Sequence, residues 1–281
     1  MAFVPRRHTR GESGQVAVET ALIIPLFLFL ILGILQLGMI AQTRVVAKYA
    51  AYRAARVGAM HHASQDAMNA AAIFHLLPVL VSDSESILPT SSTSDILRKY
   101  GRAMTENQNR SVDGRRLVQV VICGPTLGEL RGTASGASPL PAGSQRALHG
   151  VGSNNEVDFD DPALALPSMD AQTGDGMRRY NRLRLRVQLQ LLYRMPIPFA
   201  NWIMTRTYLG LSLPSVLMMT RPGSPSTPRT GGTQFKAVSD LANRRIYTLP
   251  INVSYAMRMQ SNLFLNKFKL PDKNECIHYT P

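Results

Sequence analysis

Apolar residues form one long uninterrupted run near the start of the chain. From Thr20 to Ala41 the sequence contains no Asp, Glu, Lys or Arg. A helix of that length reaches about 33 Å, and the hydrocarbon core of a bilayer is about 30 Å thick. The run is longer than the apolar region of a signal peptide, and no small-residue cleavage site follows it. The pattern therefore predicts a membrane-spanning helix that stays attached to the chain.

Helical spacing continues beyond the span. Small residues crowd the segment 47–59, which fits either close packing against another helix or simply an alanine-rich helix of high propensity. Ser64 is a candidate N-cap for a second helix over Gln65–Leu77, which Pro78 would stop. A further short helix is predicted over Ile96–Met104.

Strict alternation of apolar and polar residues predicts strands farther along. Leu and Val alternate with Arg and Gln from Arg182 to Leu191, which is typical of a half-buried strand whose polar face is solvated. A second alternation runs from Leu249 to Met259, and Leu117–Ile122 is a short apolar run bounded by turn residues. We expect these segments to form a small antiparallel sheet.

Composition divides the chain into three parts. We assign 1–14 to a basic leader, 15–60 to a transmembrane and juxtamembrane helix, and 61–281 to an α+β domain large enough to bury a core. Gly, Pro, Ala and Asp dominate residues 126–176, and Gly, Pro, Ser and Thr dominate residues 220–233. These stretches predict irregular insertions near 126–176 and 220–233.

One carboxylate lies at the edge of the predicted span. Three arginines precede Gly14, four mostly apolar residues follow it, and Glu19 then enters the apolar helix. A carboxylate in lipid is costly, so Glu19 should have a partner or a purpose, although a plain signal anchor with a chance Glu near the interface is the simpler alternative. The arrangement resembles the processing site of type IV pilins and pseudopilins. That resemblance implies cleavage after Gly14 by a prepilin peptidase at the cytoplasmic face, and pairing of the new Gln15 amino group with Glu19.

The helix as a whole is similar to TadE-like proteins of the tight-adherence (Tad or Flp) pilus system. The residues that fall on the family pattern are Glu19, Ala21, Leu22, Pro25, Leu26, Gly33, Gly38, Ala54, Ala55, Arg56 and Gly58. Thr20 departs from it where an aromatic residue is commonest, and Gln36 departs where a second acidic residue is frequent. The strand that ends at Tyr193 before a proline-containing turn, and the segment Ala256–Gln260, also resemble elements of that family.

The chain is strongly basic. Its formal net charge is +13 and its sequence pI is about 10.3, which in a cytosolic protein would favour nucleic acid. Behind a membrane span, anionic lipid, polysaccharide and acidic patches of other subunits are the favoured partners, and nucleic acid is disfavoured. The densest basic run contains Arg178, Arg179, Arg182, Arg184 and Arg186, and the aromatic residues near it are Tyr180, Tyr193, Phe199 and Trp202. Such a strand face is most often solvated, and such aromatics most often pack.

Two cysteines and several polar clusters are the candidates for chemistry. Cys123 and Cys276 would both lie on the oxidising side of the membrane, which favours a disulfide over two free thiols. Among the six histidines, His61, His62 and His75 lack zinc spacing and are expected at the surface. The acidic stretch 154–161 lacks the Gly and the distant Glu of an EF-hand, which favours a solvated loop over calcium. The sequence therefore predicts no catalytic residue, no cofactor and no metal.

These patterns predict an α+β, pilin-like architecture in which a long N-terminal transmembrane helix carries a small antiparallel sheet. The resemblance implies a pseudopilin or minor pilin, not an enzyme, that is processed after Gly14 and helps to assemble or initiate a Tad pilus. Its partners would be the prepilin peptidase, other pilin or pseudopilin subunits and the Tad inner-membrane assembly proteins. The protein would cross the inner membrane once, with a cytoplasmic N-terminus and a periplasmic domain, and either remain there or enter a surface pilus. The alternatives are an unprocessed, signal-anchored binding protein for polysaccharide or DNA and an anchored extracytoplasmic enzyme whose site follows no known motif.

Overall fold

The structure is a computed structural model that describes residues 12–80, 90, 92–109, 116–131, 156–157, 159, 183–210, 232–265 and 267–277. Several predictions fall outside these residues. They are the leader up to residue 11, most of the acidic stretch 154–161, Tyr180, the arginines at 178, 179 and 182, and large parts of both predicted insertions.

Helices and strands follow one another in an α+β order. The helices are α1 (Glu12–Met60), α2 (Gln65–Leu76), α3 (Thr93–Asn109), α4 (Leu127–Arg131), α5 (Ala200–Leu209) and α6 (Gly232–Asn243). The strands are β1 (Val118–Gly124), β2 (Glu156–Val157), β3 (Arg184–Arg194), β4 (Thr248–Arg258) and β5 (Leu263–Phe264). One long apolar helix followed by a small sheet with further helices confirms the predicted fold class.

The main sheet is antiparallel and has the strand order β1-β3-β4. Leu189 of the central strand lies between Val120 of β1 and Val253 of β4. Alternation in the sequence therefore predicted β3 and β4, and the short apolar run predicted β1. The short strands β2 and β5 form a separate antiparallel pair. We call this sheet, the helices packed on it and the C-terminal half of α1 the sheet domain.

Both faces of β3 are buried, so the prediction that its polar face is solvated was wrong. Arg186, Gln188 and Gln190 are all buried. The Gln188 side chain donates to the carbonyl of Ile277 at 2.7 Å and accepts from the Ile277 amide at 2.9 Å, so the C-terminal tail covers this face. Residues directly opposite in a sheet share a face, and Asn252, opposite Gln190, is hydrogen-bonded to a glutamine of α6.

The apolar face of the sheet packs on α1 and α2. Six alanines of α1 are fully buried there, and we call them the alanine stripe: Ala47, Ala50, Ala51, Ala54, Ala55 and Ala59. A Cβ atom placed on Gly58 would overlap the side chains of Met68 and Leu185. The crowded small residues therefore serve close packing, and the partners are the chain's own second helix and sheet.

The observed ends of α2 and α3 can be compared with the ends predicted from the sequence. The Ser64 hydroxyl caps α2 by accepting a hydrogen bond from the Ala67 amide at 3.5 Å, and the helix ends at Leu76, before Pro78. The helix expected over Ile96–Met104 is α3, which is longer at both ends. Three more helices, α4, α5 and α6, were not predicted.

Candidate functional site: the membrane anchor and its junction with the sheet domain

The N-terminal half of α1 is an exposed apolar rod. Within Ala17–Met60 one helix is long and apolar enough to cross a membrane, and only 6% of its most apolar stretch is buried against the rest of the chain. The core helix of a water-soluble protein would bury most of that stretch, and so large an apolar surface is not left in water. We therefore describe this half of α1 as a single-pass membrane anchor.

The residues of the predicted processing site lie at the start of this rod. The backbone of Gly14 and Gln15 belongs to the first turn of α1, which begins at Glu12. Glu19 lies one to two turns farther on, with an exposed side chain. Helix α1 continues through Pro25 to Met60. Cleavage after Gly14 and pairing with Glu19 stay predictions.

A turn of the sheet domain reaches back to the anchor. The Ile197 amide donates a hydrogen bond to the side-chain oxygen of Gln36 at 3.2 Å, and Gln36 is fully buried although it lies in the apolar run. About two turns earlier, the Phe29 ring meets the Phe199 ring edge-on, with centroids 5.7 Å apart. These contacts fix the direction in which the anchor leaves the sheet domain.

The contact of Gln36 explains a departure from the family pattern. A glutamine and a carboxylate both present an oxygen that can accept from a backbone amide, so Gln36 can do at this position what an acidic residue would do. Its side-chain nitrogen has no hydrogen-bond partner among the described residues. In the sequence, Gln36 could be noticed as a polar residue inside the apolar span. Its partner Ile197 could not be predicted, because it lies 161 residues away along the chain.

Helix α5 begins at this junction with unusual geometry. Its N-cap residue, Phe199, has a φ of 63° and offers no side-chain cap. A positive φ is rare for a bulky residue, and Ser, Thr, Asp or Asn is preferred at an N-cap. Trp202 and Ile203, in the first turn of α5, are both exposed.

Residues 14–56 match the family model described as TadE-like protein. The chain carries a TadE-like domain. This domain begins at the glycine of the predicted processing site, contains the apolar rod and Gln36, and ends within the buried alanine stripe at Arg56. The match confirms the resemblance for these residues, whereas the family likeness of the strand ending at Tyr193 and of Ala256–Gln260 stays a prediction. No curated protein and no solved structure matches the chain.

A disulfide joins Cys123 at the end of β1 to Cys276 in the C-terminal tail, beyond the TadE-like domain. Their Cα atoms are 5.3 Å apart, and 153 positions separate them along the chain. It holds the tail over the polar face of β3, where Ile277 meets Gln188. The disulfide between Cys123 and Cys276 that the sequence favoured therefore keeps the C-terminal tail on the polar face of the sheet.

One arginine of the basic strand segment, Arg186, is buried and forms an ion pair. Arg186 donates to both carboxylate oxygens of Glu129 on α4, at 2.7 and 2.9 Å, and its side chain is 5% exposed. Gly124 lies directly beside the guanidinium, where a Cβ atom would overlap it. This arginine therefore ties α4 to the sheet and presents no charge to a ligand.

The sequence predicted that His61, His62 and His75 lie at the surface, and two of them are half-buried there. The His62 ring is half-buried, with Nδ1 2.7 Å from the carbonyl of Asn262. His75 is also half-buried and accepts a hydrogen bond at Nε2 from Arg53 at 3.0 Å. Burial, followed by the charge of Arg53, lowers the pKa of His75 below its ordinary value. His61 is exposed, and the described part of the chain contains no group of three or more His, Cys, Asp and Glu able to hold a metal.

The aromatic residues considered for base stacking do not gather on one surface. Tyr193 is buried in β3, whereas Phe199 and Trp202 are exposed beside the anchor. Among the described residues, the strand arginines and the exposed aromatics therefore do not combine into a surface for single-stranded nucleic acid.

Proposed function

We propose that this protein is a pseudopilin or minor pilin that takes part in assembling or initiating a Tad-type pilus. The observation that carries the proposal is the TadE-like match over residues 14–56, since it begins at a processing motif and covers an exposed apolar helix. In this proposal a prepilin peptidase removes the basic leader at the cytoplasmic face of the inner membrane. The sheet domain then lies in the periplasm, and the role is structural, not enzymatic.

Contacts with other subunits would use the exposed half of α1. The buried alanine stripe is occupied by the chain's own sheet and α2, so it is not offered to a neighbour. Gly33 and Gly38 have open space where a Cβ atom would lie, and small residues let helices approach closely in membranes. The residues 17–35 are largely exposed all round the helix. Other pilin or pseudopilin subunits are the partners that such a surface fits.

Processing is tested by intact-mass analysis and N-terminal sequencing of the protein from native membranes, with Gly14→Ala as the control. A mature chain that starts at Gln15, and is lost in the variant, supports a prepilin-peptidase substrate. A chain that still carries its leader would refute processing and favour the signal-anchored binding protein.

The role of Glu19 is tested separately, by pilus assembly. We expect Glu19→Ala to be cleaved normally but to fail in assembly, because the charged N-terminus loses its partner. Glu12→Ala is the matched control, since that carboxylate leaves with the leader and its loss should leave assembly unchanged. Normal piliation in Glu19→Ala would refute the pairing.

The helix contacts are tested with Gly38→Leu. The open space at this position predicts that the variant folds and is processed like the wild type. We expect pilus assembly and cross-linking between subunits to fall, because the larger side chain keeps a neighbouring helix away. Unchanged cross-linking would place the subunit contact on another face.

A further inference from the structure

Three large apolar side chains cluster beside the anchor at the start of α5. Phe199 is 60% exposed, Trp202 45% and Ile203 47%. Their i, i+3 and i+4 spacing makes them neighbours around the first turn of α5, whereas Thr205 and Leu209, farther along the helix, are buried. Scattered exposed apolar residues are ordinary, but a cluster continuous with a membrane anchor is not. We call Phe199, Trp202 and Ile203 the foot.

The height of the foot follows from the length of the anchor. A hydrocarbon core of about 30 Å takes about 20 helical residues, so a core that has the Glu19 carboxylate in its first turn ends near Leu37. Phe29 then lies about 12 Å inside that edge. Because the Phe199 ring is 5.7 Å from the Phe29 ring, the foot begins within the membrane leaflet at the C-terminal end of the span.

The backbone of Phe199 provides a second, independent observation. Its φ of 63° favours glycine or asparagine, and its position as N-cap favours a short polar side chain. The chain instead has a phenylalanine, which satisfies neither preference. Such local conflicts cluster at functional positions, where the surroundings hold the residue in place. What phenylalanine provides at this position is a large apolar ring that contacts Phe29 of the anchor.

Two exposed arginines accompany the foot. The Arg206 guanidinium lies over the Trp202 ring, 5.6 Å from its centroid, and its side chain is exposed. Arg44 is exposed on α1, about 10 Å beyond Leu37. Helical side chains lean towards the N-terminus, so Arg44 leans towards the membrane. Tryptophan and arginine are both typical of the interface between acyl chains and headgroups.

We propose that the foot inserts into the lipid leaflet at the C-terminal end of the span, with Arg206 and Arg44 at the headgroup phosphates. Lipid is the occupant because the Phe199 ring contacts Phe29, at a depth where the hydrocarbon core surrounds the anchor, so the exposed apolar side chains of the foot meet acyl chains there. The sheet domain is then seated on the membrane at two points, the anchor and α5. The inference rests on the membrane anchor and is independent of the pilus role.

Trp202 makes the proposal directly testable, because it is the chain's sole tryptophan. The full-length protein is reconstituted into vesicles of phosphatidylcholine and phosphatidylglycerol, with or without bromine on the upper acyl carbons. We expect Trp202 to lose most of its emission to the brominated lipid and little to acrylamide in the water. Strong quenching by acrylamide without quenching by bromine would overturn the proposal.

A tryptophan on α2 is the matched control. Phe74 is exposed, and its neighbour His75 contacts Tyr49, about 18 Å beyond Leu37 along α1. In the Trp202→Phe background, Phe74→Trp should be quenched by acrylamide and not by brominated lipid. This control shows that the folded sheet domain outside the foot is in water.

The lipid-to-protein ratio separates lipid from a second subunit as the occupant. If lipid covers the foot, quenching by bromine persists as the protein is diluted with lipid. If a second copy covers it, Trp202 is shielded from both quenchers at high protein density and becomes accessible to acrylamide on dilution. That second result would overturn the proposal.

Discussion

Replacing Gly58 with alanine tests whether the alanine stripe is packed to its limit. The new Cβ atom would lie 2.7 Å from Cδ2 of Leu185 and would overlap the sulfur of Met68. Both neighbours are fully buried and have no solvent to move into. Overpacking a core typically costs about 1–3 kcal/mol. Alanine recovers about 1 kcal/mol of helix propensity, so we expect a net loss of about 1 kcal/mol.

A second helical glycine separates the packing cost from the gain in helix propensity. Gly101 in α3 has nothing within 4 Å of the position that a Cβ atom would occupy, so Gly101→Ala gains propensity without a clash. Since the propensity gain cancels between the variants, the difference in their free energies of unfolding isolates the packing cost, about 1–3 kcal/mol. The assay is urea unfolding of the full-length protein in detergent, followed by circular dichroism.

The reasoning fails if Gly58→Ala is as stable as Gly101→Ala. A double-mutant cycle with Met68→Ala checks the mechanism, because the clash with that side chain should disappear when it is shortened. The loss caused by Gly58→Ala should then be smaller in the Met68→Ala background than in the wild type.

Three further predictions concern polar contacts. Gln36→Leu leaves the Ile197 amide without its acceptor, which should cost about 1–3 kcal/mol and speed hydrogen exchange at that amide. Glu129→Ala removes the carboxylate from buried Arg186; because the carboxylate is partly exposed, we expect a loss near the lower end of about 3–5 kcal/mol by urea unfolding. The pKa of His75 is lowered by burial and then by the adjacent guanidinium, so the unfolded chain takes up the proton first. Stability should therefore fall as the pH drops below about 6.5, and His75→Gln should lessen this fall in melting temperatures measured between about pH 8 and pH 5.

Periodicity in the sequence predicted the elements that depend on local patterns. The absence of charge from Thr20 to Ala41 indicated the anchor, and alternation from Arg182 indicated the central strand. Ser64 identified the start of α2 because capping involves residues only a few positions apart. These features need no knowledge of distant parts of the chain.

The contacts that the sequence did not reveal join distant segments. Alternation distinguished the two faces of β3 but not what covers the polar one, because Gln188 bonds to Ile277, 89 residues away. The foot was missed for a related reason. Phe199 and Trp202 looked like packing or stacking residues, and only the contact with Phe29 places them beside the anchor.

Helix α1 also determines how a pulling force would travel through the molecule. Its 49 residues form one helix of about 73 Å without an intervening loop. A force that pulls the anchor along its axis therefore acts as shear on all the contacts between the alanine stripe and the sheet domain. No flexible linker is present within α1 to stretch first. The anchor and the sheet domain move as a single lever, and extracting one from the membrane requires carrying the other with it.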